Sequence, residues 1–112
     1  MSNYLTGGQS LAVEVPLVSA NGAYQLVMQT DSNLVLYRNA GYKALWASNT
    51  VGKGGVVATF QTDGNLVIYT ADGEAVWASN TYDKGGMILL MQDDGNLVIY
   101  PTALWSTGTE QG

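Results

Sequence analysis

The sequence predicts an all-β protein whose short antiparallel strands form three small sheets facing a common axis, and three observations carry that expectation. The line Gln-x-Asp-x-Asn-x-Val-x-Tyr occurs three times, as QTDSNLVLY at Gln29 to Tyr37, QTDGNLVIY at Gln61 to Tyr69 and QDDGNLVIY at Gln92 to Tyr100. Apolar residues alternate around every copy, and nothing in the chain shows helical spacing. The 14 glycines break any long helical pattern.

Each element follows from this repeat. The motifs lie 32 and 31 positions apart, a period at which one repeat is one supersecondary unit unable to bury its apolar face alone. A run at Gln9 to Val15 reads as a strand before the first repeat. Every repeat then opens on a glycine turn (Asn21-Gly22, Lys53-Gly54-Gly55, Lys84-Gly85-Gly86) and enters its Gln through an apolar run. Asp-Ser or Asp-Gly between apolar runs is a hairpin signal, so the motif straddles a hairpin tip. Gln belongs to the first strand, and Asn, Val and Tyr share one face of the second. Leu34/Leu36, Leu66/Ile68 and Leu97/Ile99 take the opposite, core face. A Trp segment follows as LWASNT (45–50), VWASNT (76–81) and LWSTGT (104–109), joined in the middle repeat by a turn at Ala71-Asp72-Gly73-Glu74. Trp46, Trp77 and Trp105 are expected in the core as packing anchors. Before Gln92, Met87, Leu89 and Met91 are expected to point inward, and Ile88 and Leu90 outward with Gln92, as Val57 does before Gln61.

Composition removes most function classes. The 112 residues are read as one domain, 1–112, with net charge −5 and only Arg38, Lys43, Lys53 and Lys84 positive. There is no basic patch to follow nucleic acid or an anionic membrane, and no run of about 20 apolar residues for a membrane span. Without Cys or His the chain has no thiol nucleophile, imidazole base, disulfide or zinc site, and no cofactor is expected. MSNYLTGGQSL lacks signal-peptide character, which favours a cytoplasmic, bacterial or non-classically secreted protein.

The polar residues of the motif point to a ligand. A core makes no demand for Gln, Asp, Asn and Tyr on the outer face, yet all recur three times. A sugar offers vicinal hydroxyls, each donor and acceptor, on a ring with apolar C–H patches. Asp accepts, Asn and Gln accept and donate, Tyr brings a hydroxyl on a rigid stem, and Val offers apolar surface. Asp and Asn also form turns, and Tyr and Val form strands; a Gln and a Tyr kept in every copy have no turn role.

The triplicate motif, together with the SNYLTGGQSL opening and the WSTGT close, resembles the bulb-type, snowdrop-like mannose-binding lectins of monocots. The resemblance implies the β-prism II fold, three four-stranded antiparallel sheets with pseudo-threefold symmetry, and binding of α-linked mannose and high-mannose glycans. In that family Asp and Asn contact the 2-hydroxyl, Gln the 3-hydroxyl and Tyr the 4-hydroxyl, with Val against the ring. Carried over, one site is Gln29, Asp31, Asn33, Val35 and Tyr37. The second is Gln61, Asp63, Asn65, Val67 and Tyr69, and the third is Gln92, Asp94, Asn96, Val98 and Tyr100. The chain departs from the plant pattern in its cysteines, Ser32 and Val56 standing where the plant members place a disulfide. Loss of that crosslink removes about 2–4 kcal/mol that packing must replace.

Two other classes compete. Paired carboxylates hydrolyse glycosides, and Asp93 and Asp94 are adjacent; neighbouring strand residues face opposite ways, however, and three near-equal sites lack a distinct acid and base. A toxin-type or protein-interaction prism recognising a polypeptide or glycoprotein is the alternative. Calcium is not expected, since Asp-x-Asp-Gly-Asn lacks the closing Glu of an EF-hand. Outward aliphatics on a small acidic domain predict a covered surface, and the resemblance implies a homodimer formed by exchange of the C-terminal strand, Leu104 to Thr109.

Overall fold

Alternation around each motif leaves every hairpin with one face to bury, and the chain meets this demand by closing three sheets on one another. The computed structural model describes residues 2–83, 85, 87–100 and 105–109. Among them the strands are β1 (Tyr4–Thr6), β2 (Gln9–Ala12), β3 (Leu17–Val18), β4 (Tyr24–Met28), β5 (Leu34–Arg38), β6 (Lys43–Ala47), β7 (Gly55–Phe60), β8 (Leu66–Thr70), β9 (Ala75–Ala78), β10 (Ile88–Met91), β11 (Leu97–Tyr100) and β12 (Trp105–Ser106). A single 3-10 turn, Ala40–Tyr42, joins β5 to β6. The strands form three four-stranded antiparallel sheets in the orders β3-β4-β5-β6, β2-β7-β8-β9 and β1-β10-β11-β12. Each repeat thus provides three strands, and the N-terminal segment runs across the molecule to provide the fourth strand of every sheet.

The core is the set of residues the alternation picks out. Leu34, Leu36, Leu66, Ile68, Leu97 and Ile99 are fully buried, together with Leu26, Met28, Phe60, Leu89 and Met91. Each such side chain contributes about 1.5–3 kcal/mol of burial. The hairpin tips share one construction. Gln29 N donates to Asn33 O at 2.9 Å and Ser32 N to Gln29 O at 3.1 Å, a tight turn followed by a left-handed residue. That residue is Ser32 (φ 78°) in the first copy and Gly64 and Gly95 (both φ 87°) in the others.

Three expectations are corrected. Met87 is 71% exposed, because β10 begins only at Ile88 and the inward alternation does not reach back to it. Trp46 and Trp77 are half-buried rather than central. They lie on the edge strands β6 and β9, pack against the rim of the core and meet edge to face at 5.5 Å; the side chain of Trp105 lies outside the described residues. Ile88 and Leu90 take the outward face but are half-buried, since β1 runs beside them with Thr6 opposite Ile88 and Tyr4 opposite Leu90.

At the place where the plant pattern has its crosslink, Val56 is 42% exposed. A bulge between Gly55 and Val57 brings Gly55 towards Ser32 instead: a Cβ built on Gly55 sits 3.6 Å from the Ser32 carbonyl oxygen.

Candidate functional site

The hairpin tip and the following strand bring the five motif residues together in every repeat. In the first copy Gln29 Nε2 donates to both oxygens of Asp31 at 3.1 Å, and Asp31 Oδ1 also accepts from Asn33 N at 3.0 Å. The Tyr37 hydroxyl, from β5 with its backbone opposite Gln25 of β4, donates to Gln29 Oε1. The third copy repeats this: Gln92 Nε2 reaches Asp94 at 3.1 and 3.3 Å, Asn96 N reaches Asp94 at 3.0 Å, and Tyr100 donates to Gln92. In the second, Asn65 N donates to Asp63 at 2.9 Å. With its amide turned as in the other copies, Gln61 donates to Asp63 at 3.2 and 3.3 Å and accepts from Tyr69.

Behind each Asn stands a pair of hydroxyl residues that the sequence reading passed over. Ser48 Oγ and Thr50 N donate to Asn33 Oδ1 at 3.2 Å each, while Ser48 Oγ accepts from Leu34 N and Thr50 Oγ1 donates to Ser32 O. Ser79 and Thr81 do the same for Asn65, and Thr107 and Thr109 for Asn96. The signal was present as Ser/Thr-x-Ser/Thr at a fixed offset in all three Trp segments. The intervening residues Asn49, Asn80 and Gly108 have φ of 59°, 61° and 69°, types that accept the left-handed conformation.

This wiring sets what each site offers. The Asn carbonyl is occupied from behind, so its amide NH2 is presented as a donor. The Gln amide bridges Asp and Tyr, fixing the carboxylate as an acceptor and leaving the Tyr oxygen, which donates inward, with lone pairs to accept. Asp31, Asp63 and Asp94 are exposed and Gln29, Gln61 and Gln92 half-buried. The motif valines are the floor: Val35, Val67 and Val98 are only 4%, 3% and 2% exposed. A row of acceptor, donor and acceptor over an apolar floor matches adjacent hydroxyls on one ring.

The three copies differ at their margins. Tyr42 stacks on Tyr37 with ring centroids 4.4 Å apart and planes 9° from parallel. Burial pushes the Tyr37 phenol above its ordinary value, and Tyr42, Asp31 and Glu14 add to the shift. A depression of about 390 Å³ beside the third copy is lined by Asn3, Leu90, Met91, Gln92, Asp93 and Asp94. Asp93 does not pair with Asp94. Its carboxylate accepts from Asn21 N at 2.9 Å and its carbonyl from Asn21 Nδ2 at 3.1 Å, tying the third repeat to the first.

No family model matches the chain. The B-type lectin plumieribetin of Scorpaena plumieri is 41% identical over 73 residues, 65% of this chain and 62% of that protein. The chain spans between 25% and 62% of the length of the curated relatives it matches. Solved structures match along nearly their whole length. A monomeric monocot mannose-binding lectin from Gastrodia elata is 44% identical, with a TM-score of 0.86 over 97% of this chain and 99% of its own. The mannose-specific agglutinin of snowdrop (Galanthus nivalis), solved with methyl-α-D-mannoside, is 41% identical, with a TM-score of 0.80 over 99% of this chain and 100% of its own. Identity above 40% with near-complete overlap of both chains places the chain in the bulb-type mannose-binding lectin family, with the β-prism II fold.

Proposed function

We propose that the protein is a lectin domain that binds α-linked mannose and mannose-rich glycans, without metal and without catalysis, through three sites. Gln29, Asp31, Asn33, Val35 and Tyr37 form the first, with the corresponding residues 61–69 and 92–100 forming the others. The observation that carries this reading is the same Asp–Gln–Tyr wiring with an oriented Asn in every copy. The mannoside complex of the snowdrop agglutinin supports it. Adjacent equatorial and axial hydroxyls of mannose match the acceptor and donor row, and galactose, with an axial 4-hydroxyl, misses the Tyr.

Methyl α-mannoside should bind at about millimolar strength, roughly −4 kcal/mol per site. Titration calorimetry with and without EDTA tests this: equal heats for galactose, or binding abolished by EDTA, would overturn it. A homodimer formed by exchange of the C-terminal strand belongs to the same proposal. In support, β12 is an edge strand of its sheet, and among the described residues it meets β11 through Val98 with Ser106 and Ile99 with Trp105. A monomeric mass at micromolar concentration in light scattering would refute the dimer.

A further inference from the structure

Tyr42 occupies a conformation that a bulky residue rarely takes. Its φ is 49°, in the left-handed region that strains a non-glycine residue. The surrounding loop is held firmly enough to keep it there. Arg38 Nε donates to Ala40 O at 3.1 Å, Tyr42 N to Asn39 O at 3.0 Å, and Asn39 N to Ala23 O at 2.9 Å. The Asn39 side chain donates to Gly22 O and accepts from Gln25 Nε2, both at 2.8 Å. An aromatic residue is therefore fixed in advance, yet it is 62% exposed.

Its position ties it to the first site. One face stacks on Tyr37, the residue whose hydroxyl engages Gln29. Tyr42 immediately precedes β6, whose Ala44 pairs with Tyr37, so it approaches from the β6 side while Gln29 approaches from the β4 side. The other repeats have no such ring. The corresponding turn of the second is Thr70 to Glu74, closed by a Thr70 N to Glu74 O bond of 2.8 Å, and carries Ala, Asp and Gly; the third has Pro-Thr-Ala-Leu at 101–104, outside the described residues.

We propose that Tyr42 extends the first site into a two-ring site, carrying on its outer face the second pyranose of an α-linked oligomannoside whose first ring lies over Val35. This rests on the mannose reading above. A pyranose presents a flat patch of C–H groups that suits an exposed aromatic face, and the phenol hydroxyl offers a hydrogen bond at its rim. Because the ring is already immobilised, little side-chain entropy is lost when a sugar covers it.

The test uses the full chain with Asp63→Ala and Asp94→Ala, leaving the first site alone. Methyl α-mannoside and the α-1,2, α-1,3 and α-1,6 dimannosides are titrated separately. At least one dimannoside should bind roughly tenfold tighter than the monosaccharide. Adding Tyr42→Ala should erase that ratio, and Tyr42→Phe, which keeps the ring face but not the rim hydrogen bond, should keep most of it. Saturation transfer from the wild-type protein should also reach the second ring. A dimannoside advantage that survives Tyr42→Ala, or the absence of any advantage, would overturn the two-ring site while leaving mannose binding intact. Failure of every mannoside to bind would overturn both readings.

Discussion

Ser48 Oγ donates to Asn33 Oδ1 at 3.2 Å while accepting from Leu34 N at 3.0 Å, so one buried hydroxyl both caps a strand and orients the Asn33 amide. Ser48→Ala leaves Leu34 N without that partner and Asn33 Oδ1 with one donor fewer. The expected cost is about 1–3 kcal/mol of stability, read from urea denaturation. Affinity at the first site should fall as Asn33 loses its orientation. A variant with unchanged stability and unchanged mannoside binding would show that Thr50 alone holds Asn33.

Removing the carboxylate of a single copy should silence that copy. Asp63 accepts from Asn65 N and from the Gln61 amide, and Asp63→Ala leaves both donors unmatched. Calorimetric stoichiometry for methyl α-mannoside should drop by a third, whereas avidity for a mannan-coated surface should drop by more, because tethered sites multiply binding by about 10²–10⁴. The same change at Asp31 and Asp94 ranks the sites. Full stoichiometry in all three variants would mean that the motif only builds hairpins.

Alkaline titration should single out Tyr37. Its folded pKa lies above the ordinary value of 10.0, through burial first and then through Tyr42, Asp31 and Glu14. A group raised in the folded state gives its full stabilisation below the unfolded pKa and loses it as pH climbs through the folded one. The Tyr37 to Gln29 bond should therefore persist past pH 10.0. Phenolate absorbance of the wild type minus that of Tyr37→Phe measures this. Titration of Tyr37 at or below its ordinary value would contradict it.

Gly55 should tolerate no side chain. A Cβ there would lie 2.5 Å from Ile68 Cγ2 and 3.5 Å from Val76 Cγ2, and Ile68 is fully buried. Gly55→Ala should cost about 1–3 kcal/mol through overpacking, measurable as a lower denaturation midpoint. An unchanged midpoint would mean that β7 shifts at no cost.

The strand faces were legible because their period is local: Leu34 and Leu36 must share a side, and Val35 the other, whatever lies around them. The turns were legible in Asp-Gly for a similar reason. What depended on distant partners was not. β1 and β3 are only three and two residues long, too short for a pattern, and become strands only by pairing with β10 and β4. The half-burial of Trp46 and Trp77 follows from their place on sheet edges, which alternation does not encode. The Ser48 and Thr50 pair could have been read from its repetition. The Tyr37 and Tyr42 stack could not, since it needs the intervening loop to be closed by Asn39.

The N-terminal segment that completes all three sheets also imposes an order in time. Tyr4 faces Leu90 across the sheet, so β1 has no mate until the third repeat has begun to be made. Such distant pairings slow folding, because loop closure must be achieved before contacts reward it. Until then β1 is an unpaired strand, with the kind of open edge that recruits other chains. Synthesis of β10 is therefore the step that closes the β1 edge.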